Sequence, residues 1–587
     1  MVTQNEVEQN GRTSRFGRYF FVCGTLFGII SCGLILVIGM VFETNDDREF
    51  SSILAGSFGL DNAGYTVFLN YGLSLFYKGV FQLLGTELNW YVACSLIASC
   101  IALAAIQSIV LDTVRSPYRW VLVVAIYLFV VHDQFLSFQF TKNAAFYTAA
   151  ACLCLTVAIV RQNNSVLLSA VSGFLLVLGC LTRDKAALIV IAFYIPLTIG
   201  LLLRSRLCGE SSPKSARGAL IGKSFCSPMA ALAAAAILIA ACTLLNQAVY
   251  STRPWSEYLE INDINFSLLS GGELPDYQGN ERLYSSLGLD LNDYNLYSDW
   301  SGGDSEVFSR EVVESLSEVG QSSHKMAGVE QLINTLASER GVEFQLLLVL
   351  LTAVAALLVT NRLGRVGVFV ILLVLGAEVG YLLISGSFSH RVFYSGVVGA
   401  LSALFALCLA PQTRGSGLKL TFGRGIMAGD FLVLTCCLLA TILSGMYAVK
   451  NYAETDVKWK RDPSYSRLLD LVSEDKGHFY VFDRTTITYL AMNGKNPLRT
   501  TGVDDYSNMA YLGGWIALTP VNRSGLDRYG VQSGYELLGR VQEAYIVDSR
   551  HAEMICQFVK KHYCADARLV QVGQIGDTYI YRLSGIE

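Results

Sequence analysis

The chain has 587 residues, of which 52% are hydrophobic and only 16% are charged. Soluble proteins carry about 25% charged residues, and the mean hydropathy of this chain is +0.43. These values exclude a disordered chain, a basic nucleic-acid-binding protein and an ordinary soluble enzyme. The formal net charge of −4 is small, so the placement of the charges is more informative than their sum.

Apolar runs of 17 to 24 residues recur along the chain, and a membrane-spanning helix needs about 20 apolar residues. They predict a polytopic α-helical membrane protein. The first run lacks a small-residue cleavage site and ends in acidic residues, so we interpret it as a retained helix. Eleven spans are predicted, at about 19–42, 90–111, 119–136, 143–160, 165–181, 187–203, 229–249, 343–360, 366–384, 393–410 and 429–447.

The basic residues of the short loops orient these spans. With the N-terminus inside, the inner segments hold sixteen Lys and Arg residues against four acids, and the short outer loops hold six basic residues. Cytoplasmic loops are enriched in Lys and Arg. We therefore expect a multi-pass protein of the cell membrane with a cytoplasmic N-terminus and an extracytoplasmic C-terminal domain.

Residues 66–84 are apolar enough to span but contain Asn70 and Lys78. If they crossed the membrane, the basic loop at 204–223 would face outward, against the positive-inside rule. We therefore place them on the outer side, as helices at the membrane surface. The alternative is twelve spans with the C-terminus inside.

Two regions, 250–342 and 448–587, are long enough to fold outside the bilayer. The predicted membrane module covers residues 1–447 and includes the outer loops 43–89 and 250–342. The second of these loops carries 16 acids against five bases. Residues 448–587 have 17 bases and 17 acids, a soluble composition. Strands at 478–483 and 544–549, a helix at 551–562 and a hairpin at 569–583 predict a small α/β domain. Cys556 and Cys564 lie there, at a spacing that suits a disulfide or two free thiols.

Four acids lie within the segment 43–50, directly after the first span. They include the adjacent pair Asp46 and Asp47. Two neighbouring carboxylates repel each other, which suits a general base or a ligand of a divalent cation. The alternative is a solvated acidic cap at the exit of the helix. No nucleotide-binding motif was found, since 218–224 departs from the phosphate-loop spacing.

The acidic motif in the first outer loop, the surface helices, the many spans and the soluble outer domain resemble the GT-C glycosyltransferases. The stretch Asn45-Asp46-Asp47 resembles the Asn-Asp-Asp motif of uncharacterised bacterial membrane proteins in that superfamily. The resemblance implies a sugar donor on polyprenyl phosphate, used on the outer side. It also implies that Asp46 or Asp47 activates the acceptor or holds Mg²⁺ or Mn²⁺, with Asp47 preferred as the base.

A lipid-linked phosphate requires cations at headgroup depth, and Arg donates to phosphate bidentately. The candidate outer cations are Arg183, Lys185 and Arg391, with His390 beside the last, and Arg253 at the start of the large loop. The alternative is that these side chains anchor helix ends at the interface.

Asp133 is a further candidate catalytic residue, and His132 and Glu378 are second-tier candidates. His132 and Asp133 lie at the outer end of the third span, where the alternative is a polar helix cap. Glu378 is the only charged residue deep within a span, and intramembrane acids are often functional. Its surroundings, Gly376-Ala-Glu378-Val-Gly380, also predict close helix packing.

The sequence thus predicts an integral-membrane glycosyltransferase that transfers a sugar from polyprenyl phosphate to an envelope glycan or lipid, with inversion. A polymerase or ligase of lipid-linked oligosaccharides, relying on the outer arginines, is the nearest alternative. A transporter and a non-enzymatic envelope scaffold are the alternatives from other classes.

Overall fold

The structure is a computed structural model that describes residues 4–114, 118–160, 165–207, 226–323, 334, 341–385, 388–409, 426–458, 463–486, 488, 496–548 and 550–586. Most of the predicted basic loop 204–223, the stretch 218–224 and the end of the large loop lie outside these residues.

The first part contains α1 (Gln4–Val37), β1 (Val41–Phe42), α2 (Asn45–Ala55), α3 (Tyr71–Leu84), α4 (Trp90–Thr113), α5 (Tyr118–Val131), β2 (Ser137–Phe138), α6 (Phe140–Val160), α7 (Val166–Thr182), α8 (Asp184–Leu207) and α9 (Cys226–Tyr250). The middle part contains α10 (Arg253–Leu269), α11 (Glu281–Ser286), α12 (Leu291–Ser298), α13 (Arg310–Ser323), α14 (Val342–Val359), α15 (Arg362–Ile384), α16 (His390–Leu409) and α17 (Ile426–Lys458). The last part contains α18 (Pro463–Glu474), β3 (Phe479–Phe482), β4 (Met509–Tyr511), α19 (Pro520–Leu526), α20 (Gly534–Arg540), β5 (Ala544–Asp548), α21 (Ala552–His562), β6 (Arg568–Ile575) and β7 (Thr578–Ser584).

Each of the eleven predicted spans coincides with a helix, and in the third span α5 continues through a π-helical segment, His132–Leu136, to a total of 19 residues. Within the described ranges, nine of these helices are long and apolar enough to cross a membrane. The other two are α7, which is apolar but has 17 residues, and α8, which has 24 residues and contains Pro196. The spanning helices expose large apolar side chains on their outward faces, such as Leu36 of α1 and Leu373 of α15, as expected for contact with lipid tails. The chain is a multi-pass membrane protein, and the predicted fold class is confirmed.

The first loop folds into short elements between α1 and α4. A new helix, α2, begins at Asn45 and ends at Gly56, whose left-handed backbone (φ 80°) closes the last turn. The predicted surface segment 66–84 forms α3, whose 14 residues are too few to cross a bilayer. Strand β1 pairs in parallel with β2, and this pairing joins the first loop to the loop between α5 and α6.

The large loop is helical over much of its described length. Helices α10 to α13 fold around a second core that is shared with the C-terminal domain, and Leu268, Tyr284 and Leu296 are among its buried residues. The loop therefore packs as part of the soluble structure.

The C-terminal domain contains a five-stranded sheet in the order β4-β3-β5-β7-β6. Strands β4, β3 and β5 are parallel, while β7 and β6 run antiparallel to their neighbours. The predicted strands, helix and closing hairpin are all present, and β4 was not predicted. Helix α17 continues through the predicted domain boundary at 447/448 and ends at Lys458.

The structure bears on the packing predicted around Gly376 and Gly380 and on the state of Cys556 and Cys564. Among the described residues, a Cβ atom added to Gly376 or Gly380 would meet no atom within 4 Å, so this part of the structure shows no close packing through these two glycines. The close approach is instead at Gly396 of α16, against the carboxyl group of Glu378. Cys556 and Cys564 are both free thiols.

Candidate active site

Several long helices begin or end around α2, and their terminal residues surround it. Helix α2 is itself unusual, because Asp47, Arg48 and Glu49 are all buried within 11 residues. Burying charges is costly unless each is paired or hydrogen-bonded. The contacts of α2 therefore identify the residues that compensate these charges.

Asp46 is the more exposed of the two adjacent aspartates, Asp46 and Asp47. Its Oδ2 accepts from Arg391 Nη1 at 3.2 Å and from Thr44 Oγ1 at 3.5 Å, and its Oδ1 accepts from the indole N–H of Trp515 at 3.0 Å. The side chain is 13% exposed, and that of Arg391 is 35% exposed. Asp46 and Arg391 therefore form an ion pair that solvent and a substrate can reach.

Asp47 lies behind it and has no exposed surface. Its Oδ1 accepts from the hydroxyl of Tyr91, at the start of α4, at 2.6 Å. Its Oδ2 has no hydrogen-bond partner among the residues that the structure describes. Burial raises the pKa of Asp47 well above its ordinary value, against the lowering by the Tyr91 hydrogen bond. Asp47 is thus a buried acid that supports the site from inside.

The C-terminal domain compensates the next two charges of α2. Arg48 pairs with Glu49 at 2.9 Å and lies over the ring of Tyr506, 5.7 Å from its centroid. Glu49 also accepts from the hydroxyl of Tyr511 at 2.7 Å. Arg48, Glu49 and these two tyrosines therefore bind the soluble domain to the membrane module.

A second cluster of charged side chains lies where the pairing of β1 and β2 brings two loops together. Lys142, at the start of α6, is fully buried and pairs with both Glu43 and Asp133. Its distance to Asp133 Oδ1 is 2.6 Å, and Tyr447 donates to the other oxygen of Asp133 at 2.7 Å. Asp133, predicted as a candidate catalytic acid, is held inside this network and has no exposed surface.

Two histidines border the same network. His390 Nδ1 lies 3.6 Å from Glu43 Oε1, and His390 Nε2 lies 3.3 Å from the amide of Gln345. His132 Nδ1 lies 3.6 Å from Asp133, and its Nε2 lies 3.1 Å from Thr455. Both histidines are buried, whereas Arg391, next to His390, points to the open side of the site.

We tested whether these residues suit the predicted divalent cation. Among the described residues, Glu43, Asp133 and His390 have ligand atoms within 4.8 Å of one another. However, the ammonium group of Lys142 already contacts both carboxylates, so the positive charge that they require is supplied by the chain. The oxygens of Asp46 are engaged by Arg391 and Trp515. This site does not fit a metal ion as it stands.

A comparable carboxylate and imidazole set lies in the C-terminal domain. Asp483 directly follows β3, and Asp548 is the last residue of the parallel strand β5. A carboxylate oxygen of each aspartate and a ring nitrogen of His551 lie within 4.8 Å of one another. The oxygens of both aspartates accept from backbone N–H groups of the segments that follow. They therefore cap the turns and the helix at this sheet edge.

Arg183 lies beside Asp46 and Arg391 without an ion pair. It ends α7, and its guanidinium packs over the rings of Phe68 and Phe140, at 5.1 and 5.5 Å from their centroids. No acid among the described residues lies within ion-pair distance. Partial burial lowers the pKa of Arg183 below its ordinary value; the charges of Asp184 and Asp46 oppose this effect, and that of Arg391 adds to it. A half-buried guanidinium that makes no ion pair among the described residues is suited to bind an anion.

The other predicted residues lie elsewhere. Lys185 is exposed at the start of α8. Arg253 is 90% exposed and pairs with Glu257 one helical turn away. Both carboxyl oxygens of Glu378 are buried without a hydrogen-bond partner within the described part of the chain, against Gly396. The structure thus brings Asp46, Asp47, Arg183 and Arg391 together and leaves these three apart.

Several residues of the site were not predicted from the sequence. Tyr91, Phe68, Phe140 and Trp515 are aromatic residues in an apolar chain, and no spacing distinguishes them from core residues. Lys142 offered the clearest signal, because it is one of the few basic residues of the predicted outer loops.

No protein-family profile and no curated protein matches the chain. Two solved structures resemble it. The first is ArnT from Cupriavidus metallidurans bound to undecaprenyl phosphate, with a TM-score of 0.46 and 10% identity over 95% of this chain and 97% of that chain. The second is the arabinofuranosyltransferase AftD from Mycobacteria, with a TM-score of 0.37 and 11% identity over 96% of this chain and 40% of that chain. At these identities, neither likeness assigns a donor, an acceptor or a catalytic residue.

We predict that Lys142→Met lowers the thermal unfolding midpoint of the purified protein strongly. The substitution keeps the volume but leaves Glu43 and Asp133 without a counter-charge, which costs about 3–5 kcal/mol for a buried pair. The matched control is Lys450→Met, since Lys450 pairs with Glu343 at an exposed position. There we expect a change of about 0–1 kcal/mol. Equal shifts in the two variants would contradict the role of Lys142.

Proposed function

We propose that the protein is an integral-membrane glycosyltransferase that uses a polyprenyl-phosphate-linked sugar. The observation that carries this proposal is the partly exposed ion pair of Asp46 and Arg391 with Arg183 beside it, which makes no ion pair within the described part of the chain. An acid next to two cations at a membrane-level site matches a reaction in which a hydroxyl loses a proton and a phosphate leaves. The resemblance to the GT-C superfamily supports the same class of reaction.

The phosphate of the donor would bind to Arg391 and Arg183. Both lie at helix ends, where a lipid phosphate at headgroup depth can approach while its chain stays between the helices. The basic residues of the other loops favour an extracytoplasmic position for this end of the bundle. We therefore propose that an envelope glycan or lipid is the acceptor there.

The transfer is a direct displacement at the anomeric carbon. An acceptor hydroxyl forms the new bond, the bond between the anomeric carbon and the phosphate oxygen breaks, and the electron pair leaves with the phosphate. The two arginines stabilise the charge that develops on the phosphate. Asp46 takes the proton of the acceptor, and one displacement inverts the configuration of the sugar.

The exposure of the two carboxylates favours Asp46 over Asp47 as the base. A base must lie within hydrogen-bond reach of the proton that it removes, and only Asp46 has exposed surface. We assign Asp47 a supporting role through its bond to Tyr91. The sequence-based preference for Asp47 is changed accordingly.

We predict that Asp46→Asn lowers transfer by at least about 10²-fold, since general bases contribute about 10²–10⁴-fold. Asp47→Asn keeps an oxygen for the Tyr91 hydroxyl, and we expect a smaller loss. The measurement is the release of undecaprenyl phosphate from its hexose and pentose derivatives, with native envelope extract as acceptor.

If Asp47→Asn loses more transfer activity than Asp46→Asn, then Asp47 is the base. Full activity of both variants would contradict the mechanism. It would favour a polymerase or ligase that depends on the arginines alone.

We predict that Arg183→Gln raises the KM for the lipid-linked donor by about tenfold or more, because one charge-assisted hydrogen bond contributes about 1.5–3 kcal/mol. Arg183 has no acid partner in the described structure, so its removal leaves no unpaired carboxylate. Arg282→Gln is the matched control, since Arg282 is an exposed arginine of the large loop. An unchanged KM in Arg183→Gln would remove Arg183 from the phosphate site.

A further inference from the structure

The C-terminal domain places one side chain directly in the candidate active site. We propose that Trp515 is a positioning residue for the transfer, which holds Asp46 through its indole N–H and Arg183 through the face of Phe68. The inference rests on the proposed function and extends it, because it makes the soluble domain a part of the active site.

The first contact is a hydrogen bond. The indole Nε1–H of Trp515 donates to Asp46 Oδ1 at 3.0 Å, while Arg391 donates to the other oxygen of Asp46. Two donors on opposite oxygens fix the rotation of the carboxylate. The tryptophan is 8% exposed, so this bond is shielded from water on the side of the soluble domain.

The second contact passes through an aromatic ring. The indole of Trp515 packs edge-on against Phe68, with 5.2 Å between centroids, and tilted against Phe50 at 5.7 Å. The ring of Phe68 also carries the guanidinium of Arg183. Removing the indole therefore leaves Phe68, and with it Arg183, without support on one side.

Trp515 is itself held firmly. It follows Gly513 and Gly514, and the N–H of Gly514 donates to the carbonyl of Trp300 at 2.8 Å. A Cβ atom at Gly513 would lie 2.3 Å from that carbonyl oxygen, so only glycine fits there. The carbonyl of Trp515 accepts from the hydroxyl of Tyr258 at 3.0 Å. The large loop and the C-terminal domain together fix the position of the indole.

Other charged and titratable groups also face Asp46. They are Arg391 from α16, Arg183 from the end of α7, Tyr258 from α10, and Asp47 and Glu49 from α2 itself. Trp515→Phe replaces none of these groups and keeps an aromatic ring against Phe68, which carries Arg183. A change in the pH dependence of such a variant therefore reports on the indole hydrogen bond.

The test compares Trp515→Phe with Trp515→Ala in the full-length protein in lipid nanodiscs. Phe keeps an aromatic ring but lacks the N–H, which stabilises the charged form of the Asp46 carboxylate. In Trp515→Phe we expect the acid limb of the pH–rate profile to move to higher pH, while the KM for the lipid-linked donor stays the same. In Trp515→Ala we expect the same shift, together with a KM raised about tenfold, as for a loss of about 1.4 kcal/mol.

Tyr511→Phe is the matched control. Tyr511 contacts α2 from the same domain but donates to Glu49. Its loss should weaken the docking of the domain and lower the thermal midpoint without moving the acid limb. If wild-type protein transfers sugar and Trp515→Phe retains the wild-type pH profile, the positioning role is wrong. An acid limb that moves equally in Tyr511→Phe would also overturn it.

A binding measurement separates this inference from the proposed function. Affinity for undecaprenyl phosphate is measured in the same nanodiscs, without any transfer. If the wild-type protein transfers no sugar, the proposed function fails. The support of Arg183 by Trp515 still holds in that case if Trp515→Ala binds this lipid about tenfold more weakly than Trp515→Phe. Equal affinity of Trp515→Ala and wild type overturns the inference, whether or not transfer is seen.

Discussion

The structure depends on compensating the charges of one short helix. Asp46, Asp47, Arg48 and Glu49 follow one another at the start of α2, and all but the first are buried. A buried charge without a partner costs several kcal/mol. The bundle supplies Tyr91 and Arg391 to the two aspartates, and the C-terminal domain supplies tyrosines and a tryptophan to the others and to Asp46. The membrane module and the soluble domain are thus joined by the same contacts that form the candidate site.

The charged residues around α2 form two layers with different exposure. The inner layer is the network in which the buried Lys142 neutralises the buried Asp133 and the partly exposed Glu43, and it joins the loops that β1 and β2 pair. The outer layer is the partly exposed pair of Asp46 and Arg391 with Arg183 beside it. Because Lys142 already contacts both carboxylates of the inner layer, we assign the contact with a substrate to the outer layer. This separation explains why several acids lie close together although we assign chemistry to one of them.

The sequence predicted the helices and the sheet domain well, and the contacts between distant segments poorly. The eleven apolar runs and the strand at 544–549 are visible because hydrophobicity and periodicity are local properties. The acidic pair and Arg391 were also accessible, since charges are rare in this chain. In contrast, Lys142 pairs with Glu43 across almost a hundred residues, and Trp515 reaches Asp46 across more than four hundred. No local pattern encodes such contacts. The close packing expected at Gly376 and Gly380 was likewise not found among the described residues: spacing alone does not show which helix face meets a neighbour.

The central claim is that Asp46 acts in a glycosyl transfer on the cell envelope. Its most direct test is mass spectrometry of envelope glycans and lipids from the native host, comparing wild type, a strain lacking the gene and a strain carrying Asp46→Asn on the chromosome at wild-type protein level. We predict that both mutant strains lack the same sugar residue on the same acceptor, which would identify donor and acceptor together. Wild-type glycans in the Asp46→Asn strain, alongside a changed profile in the deletion strain, would contradict the assignment of the base. An unchanged profile in both strains would contradict the glycosyltransferase itself.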